Sequence, residues 1–124
     1  MWIDSHCHLD FFSEAIIKKI MRSARNSQIS NIVIPSVSPD NLSRVLDIAG
    51  QDDILFYALG FHPIYIDEIN NNDLTILSDC VKNNSPVAIG EIGIDLFTRK
   101  DNIFKQQDFL AAQLKIAIDY DLPV

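Results

Sequence analysis

Asn31-Ile32-Val33-Ile34-Pro35 decides the fold class. Three β-branched residues stand side by side with no polar alternation, and a proline closes the run. β-branched side chains favour extended backbone. An unbroken apolar run of this length marks a parallel strand covered on both faces, whereas a half-solvated antiparallel strand alternates. Pro86-Val87-Ala88-Ile89-Gly90 has the same character, as do residues 54–60, and residues 2–5 can form a first strand.

The segments between these runs have helical spacing. Ser13 is a plausible N-cap for a helix reaching about Gln28, with Ile16, Ile17, Ile20, Met21 and Ala24 on one face. Ser38 can cap a second helix. Pro39 suits its first position, where a missing N–H costs nothing. Leu42, Val45, Leu46 and Ala49 form that helix's apolar stripe, and Gly50 suits its end. The polar run Asn70-Asn71-Asn72-Asp73 introduces a third helix with Leu74, Leu77 and Val81 on one face. Asp101 can begin a fourth, carrying Leu110, Leu114, Ala117 and Ile118. On this helix Gln106, Gln107 and Gln113 read as a polar face. Leu122-Pro123-Val124 reads as the entry to a fifth strand.

The predicted pattern is α/β: four βα units of roughly 30 residues each, the size of a βαβ building block, in one domain. Two architectures accommodate it, an open doubly wound sheet and part of a (β/α)8 barrel. The first βα turn lacks a Gly-rich phosphate loop, which weakens the nucleotide-binding form of the open sheet. A whole barrel takes about 250 residues, and the chain has 124.

Composition narrows the function classes. Ten basic against seventeen acidic residues give a formal charge of −7. Such a surface disfavours loose binding to nucleic acid phosphates, so nucleic acid chemistry here needs a local positive charge such as a metal ion. Cys7 and Cys80 lie far apart and suggest no disulfide framework, which fits a reducing cytoplasm. The opening residues lack the basic and apolar regions of a signal peptide, and no apolar run approaches membrane-spanning length.

The chemistry concentrates at predicted strand ends. In Asp4-Ser5-His6-Cys7-His8-Leu9-Asp10, alternation along a strand sends His6 and His8 to one side and Cys7 to the other. Two imidazoles so spaced can grip one metal ion, and the carboxyl ends of strands are where (β/α)8 active sites lie. The competing reading is two solvated loop histidines. In Gly90-Glu91-Ile92-Gly93-Ile94-Asp95, Glu91 follows an apolar run, where a carboxylate is costly unless paired or metal-bound. It could equally turn to solvent. In Gly60-Phe61-His62-Pro63, His62 could contact a substrate oxygen or shuttle a proton, or be held by loop hydrogen bonds. Asp95 could orient a ligand or water from behind, or cap its loop. Arg99, Lys100 and Lys105 form a small basic cluster that could meet a phosphate, though a solvated charge run explains it as well. Cys7 and Cys80 read as packed thiols.

In order and placement these motifs resemble the TatD family of metal-dependent deoxyribonucleases. The opening strand end matches that family's D-[ST]-H-x-H-L-[DN], residues 60–63 match its G-x-H-P, and residues 90–95 match its G-E-x-G-[LI]-D. Gln106, Gln107 and the stretch from Phe109 to Leu114 match its following helix. The resemblance covers the whole chain. It implies the first half of a TIM-type (β/α)8 barrel, stopping at the fifth strand. It also implies that His6, His8 and Glu91 are metal ligands, with two divalent ions per complete site and Glu91 bridging them. DNA is the implied substrate, with His62 beside it. The family's later strands supply two more histidines and an aspartate that the 124 residues do not contain, so no catalytic residue is assigned and weak or absent activity is expected of the chain by itself. Leu96-Phe97-Thr98 stands where the family often has tyrosine. A non-catalytic, self-associating module with open sheet edges is the alternative, together with a PHP-type phosphoesterase or an amidohydrolase.

Overall fold

The computed structural model describes residues 1–98 and 100–124. Four strands, β1 (Trp2–Asp4), β2 (Ile29–Pro35), β3 (Leu55–Leu59) and β4 (Ala88–Ile89), alternate with four helices, α1 (Glu14–Asn26), α2 (Leu42–Ala49), α3 (Asn71–Asn84) and α4 (Ile103–Asp119). All neighbouring strands are parallel and their order is β1-β2-β3-β4. A doubly wound sheet reverses its strand order at a switch point. This sheet never reverses, so it is a singly wound arc of barrel type.

Local signals act where they were expected. Ser13 is the N-cap residue of α1 and Gly50 the C-cap of α2. Asn70 and Asp73 close a reciprocal capping box at the start of α3, which satisfies two backbone N–H groups that the first turn leaves without helical partners. Pro39 opens a short 3-10 turn (Pro39–Asn41) and α2 begins just after it, at Leu42. β4 is shorter than the apolar run 86–90. At the fifth-strand entry, the Ile89 N–H donates to the Pro123 carbonyl at 2.9 Å, so the terminal residues lie against the edge of β4.

The two faces of the sheet differ, which departs from strands covered on both sides. Ile32, Ile34, Leu59 and Ile89 are buried in the core with Ile17, Val45, Ile48, Leu77 and Val81 from the helices. Their neighbours on the opposite face, including Val33, Ala58 and Ala88, line a groove of about 430 Å³ that runs beneath His6 and Glu91. The winding puts every helix on the outside and leaves the inner face open. Trp2 and Ile3 on the edge strand β1 are 72% and 66% exposed.

Candidate metal centre

All three chemical motifs fall at the carboxyl ends of strands. His6 and His8 follow β1, His62 follows β3 and Glu91 follows β4. Backbone bonds across the sheet draw these ends together. The Cys7 N–H donates to the Val33 carbonyl, fixing the segment between the two histidines against β2. The Glu91 N–H donates to the carbonyl of Ser36. Ser36 is fully buried; its hydroxyl donates to the Gly60 carbonyl and accepts from the Gly60 N–H, each at 2.8 Å. One serine thus ties the ends of β2, β3 and β4 to one another.

The result is a tight triangle. His6 Nε2 and His8 Nε2 are 3.1 Å apart, and Glu91 Oε2 stands 3.2 Å from the first and 3.3 Å from the second. The same three residues are a grouping able to hold a metal ion. Around an ion with bonds of about 2.0–2.2 Å, adjacent donor atoms lie roughly 3.0–3.5 Å apart, so these separations fit a shared cation. The donor chemistry agrees, since imidazole nitrogens and a carboxylate oxygen are ordinary ligands of a divalent cation. Hydrogen bonds alone cannot satisfy all three edges of the triangle. Beside it, His62 Nδ1 accepts from the Ile64 N–H at 3.1 Å. That bond leaves the ring proton of neutral His62 on Nε2, which faces Glu91 Oε1 at 3.4 Å. His62 is thus held by its loop, as the second of its two readings has it, and it borders the cluster.

Other expected site residues lie further out. Asp95 caps its loop, with Oδ1 accepting from the N–H groups of Phe97 and Thr98. The bond from Thr98, ahead of that from Phe97 and the nearby His62, holds its carboxyl below the usual range. Arg99 lies outside the described residues. Lys105 is engaged away from the triangle, its Nζ donating to the Asp67 carbonyl and lying over the Phe109 ring. Burial first, then the charges of Asp4 and Asp10, push the Cys7 thiol up. It stays protonated at neutral pH, as a packed thiol would.

The expected faces of α4 are overturned: of its predicted apolar stripe, Leu114 and Ile118 are exposed, Ile118 at 79%. Gln106 and Gln113 do not belong to a solvated face; both are fully buried. The Gln113 amide accepts from the Phe61 N–H at 2.7 Å and donates to the Phe61 carbonyl at 3.2 Å. The Gln106 amide does the same for Asp95, at 2.8 and 3.1 Å. Each side chain thus acts as a peptide group, supplying ladder bonds to a loop that has left its strand. The two clamped residues lie one position before His62 and four after Glu91. The available clue was that Gln106 and Gln113 are seven residues apart and so share a helix face with Phe109 and Ala117, both buried. Replacing Gln113 with leucine keeps the volume roughly constant and strands both polar groups of Phe61. About 2–4 kcal/mol of stability is expected to be lost, read as a lower urea midpoint, whereas the exposed neighbour substitution Gln107→Leu should change it by less than about 0.5 kcal/mol.

Two residues near the triangle were not anticipated as site residues, Asp10 and Asn41. The Asp10 carboxylate is 1% exposed, and its Oδ2 accepts from Asn41 Nδ2 at 2.8 Å.

Comparison with known proteins identifies the family and the fold. The family described as TatD related DNase matches residues 3–124. The chain is 37% identical to the uncharacterised metal-dependent hydrolase YjjV of Escherichia coli K12, over 99% of this chain and 49% of that protein. It is 32% identical to an uncharacterised metal-dependent hydrolase of Buchnera aphidicola subsp. Baizongia pistaciae, over 98% and 47% of the two chains. The crystal structure of YjjV, a TatD homologue, superposes with a TM-score of 0.91 at 35% identity, covering 99% of this chain and 49% of that one. The four parallel βα units are therefore a half barrel of the TatD type, and the chain spans about half the length of the curated relatives it matches.

Proposed function

This chain belongs to the TatD related DNase family, and on that footing we propose that it forms part of a metal-dependent hydrolase acting on phosphodiester bonds in DNA. The observation that carries the proposal is the triangle of His6 Nε2, His8 Nε2 and Glu91 Oε2, with sides of 3.1, 3.2 and 3.3 Å. These three residues would hold a divalent cation. When bound, such an ion polarises a phosphodiester oxygen and lowers the pKa of an attacking water. It also supplies the local positive charge that a chain of net charge −7 otherwise lacks for an anionic substrate.

The chain's own residues divide the remaining work. His6 and His8 present Nε2 toward the cation position. Glu91 offers Oε2 to it while Oε1 faces His62. His62 Nε2, 3.4 Å from Glu91 Oε1, can turn its N–H to a substrate oxygen, and on this reading His62 borders both ligands and substrate. Asp95 shapes the loop that follows Glu91, and the two glutamines of α4 hold the loops of His62 and Glu91 in register. Ligands for a second cation come from later strands in the family pattern. We therefore assign turnover to a barrel closed by further βα units and expect the 124 residues by themselves to hydrolyse DNA weakly or not at all.

The test combines this chain with the part of YjjV it does not cover, on a labelled DNA oligonucleotide with Mg2+, Mn2+ or Zn2+. Cleavage is expected in the mixture, with loss on His6→Ala. Robust cleavage by the 124-residue chain alone would refute the division of labour, and turnover of amide substrates in place of DNA would refute the reaction class.

The open inner face supports a second reading. A groove lined by Val33, Pro35, Ala58, Val87 and Val124, next to the unpaired edge of β1, is surface that water disfavours. We propose that the 124-residue chain self-associates through it. Sedimentation velocity at micromolar concentration should show dimers or larger species, and a compact monomer throughout would exclude them.

A further inference from the structure

His8 Nδ1 and Asp10 Oδ1 are both buried, and neither has a hydrogen-bond partner among the described residues. They face each other at 3.5 Å, just beyond hydrogen-bond geometry. The other Asp10 oxygen is occupied by Asn41 Nδ2 at 2.8 Å. Asn41 is itself fixed, since its Oδ1 accepts from the N–H groups of Val37 and Ser38 at 3.1 and 3.2 Å. A carboxylate this deeply buried is costly unless its oxygens are partnered, and the atom facing the vacant oxygen is a ring nitrogen that can carry a proton.

We propose that Asp10, braced by Asn41, is the positioning residue of the site: it accepts Nδ1–H from His8 and so keeps the lone pair of His8 Nε2 turned toward His6 and Glu91. The role cannot be filled by packing. Phe11 stacks on the His8 ring with centroids 4.8 Å apart and planes 9° apart. A flat aromatic contact holds the plane of an imidazole but does not distinguish its Nδ1 edge from its carbon edge, nor one tautomer from the other. A carboxylate at Nδ1 distinguishes both. It also raises the basicity of the opposite nitrogen, as outer partners of ligating histidines commonly do. The line of support runs from the backbone after β2, through Asn41 and Asp10, to His8, so the end of β2 orients a side chain that belongs to the end of β1.

The proposal rests on the reading of His8 as a metal ligand, and its test separates the two. Long-range proton–nitrogen correlation spectra of the metal-free 124-residue chain report the tautomer of each of its three imidazoles at a pH of about 8.5, above the ordinary imidazole range. His8 is expected as the Nδ1–H tautomer in the unmodified chain, a measurement that needs no variant. In Asp10→Asn the new amide oxygen takes the bond from Asn41 and its NH2 group turns to His8 Nδ1, so His8 should switch to the Nε2–H tautomer. Zn2+ affinity by calorimetry should then fall by about ten- to a hundredfold. A purely structural role for Asp10 would lower the melting temperature without inverting the tautomer. An Nε2–H tautomer in the unmodified chain, or an unchanged tautomer and Zn2+ affinity in a folded Asp10→Asn chain, would overturn the proposal. Failure of the metal reading shows elsewhere, as an unmodified chain with His8 in the Nδ1–H form and no Zn2+ binding lost on His6→Ala.

Discussion

Substituting Glu91 by alanine is expected to weaken binding of Zn2+, used as a probe, by more than about a hundredfold, beyond the ten- to hundredfold that removal of an outer-shell partner typically costs. Glu91 is the only acidic corner of the triangle, and its Oε2 lies 3.2 and 3.3 Å from the two ring nitrogens. Without it two imidazoles remain, which can share an ion but cannot neutralise its charge. The fold should tolerate the change. The strand end is held by the Glu91 N–H on the Ser36 carbonyl, a backbone bond that alanine keeps, and the side chain is 27% exposed. Calorimetric titration beside a thermal melt checks both halves. Unaltered affinity would remove Glu91 from the ligand set, and collapse of the fold would mean that the carboxylate serves structure.

Gly60→Ala should cost about 3 kcal/mol of stability, toward the upper end for overpacking, and abolish Zn2+ binding with it. A Cβ at position 60 would stand 2.8 Å from the backbone carbon of Gly90 and 2.8 Å from Ile92 Cγ2. The first of these cannot rotate away. Strands β3 and β4 approach so closely here that only glycine fits, and the atom displaced belongs to the residue before Glu91. Gly50→Ala is the control. Its Cβ meets nothing nearer than the Leu46 carbonyl at 3.5 Å, and φ is −70°, so it should be neutral or stabilising by up to about 1 kcal/mol. The difference between the two urea midpoints, at unchanged slope, is the quantity to measure. Equal midpoints would show that β3 and β4 can separate at no cost.

Where structure is decided locally, the sequence was enough. The apolar runs became strands, Asn70 with Asp73 capped α3, and Gly50 ended α2. Strand alternation and capping depend on near neighbours, so they are visible in the chain itself. What remained hidden depends on contacts between distant segments. Whether a glutamine on α4 is a solvated residue or a clamp depends on which loop lies against it, and Gln113 meets Phe61 across 52 positions of sequence. Asp10 looked like the tail of a motif because Asn41, its partner, lies 31 residues on. The openness of the inner sheet face followed from the half-barrel reading and not from the strands themselves, since the runs of β2 and β3 are apolar whether or not something covers them.

The claim on which all of this depends is that His6, His8 and Glu91 bind one cation together. The most direct test is a crystal of this chain soaked in Zn2+, with anomalous scattering recorded on both sides of the zinc edge. A single strong peak is expected within bonding distance, about 2.0–2.2 Å, of His6 Nε2, His8 Nε2 and Glu91 Oε2. A zinc peak that avoids these atoms, or contacts only one of them, would contradict the account.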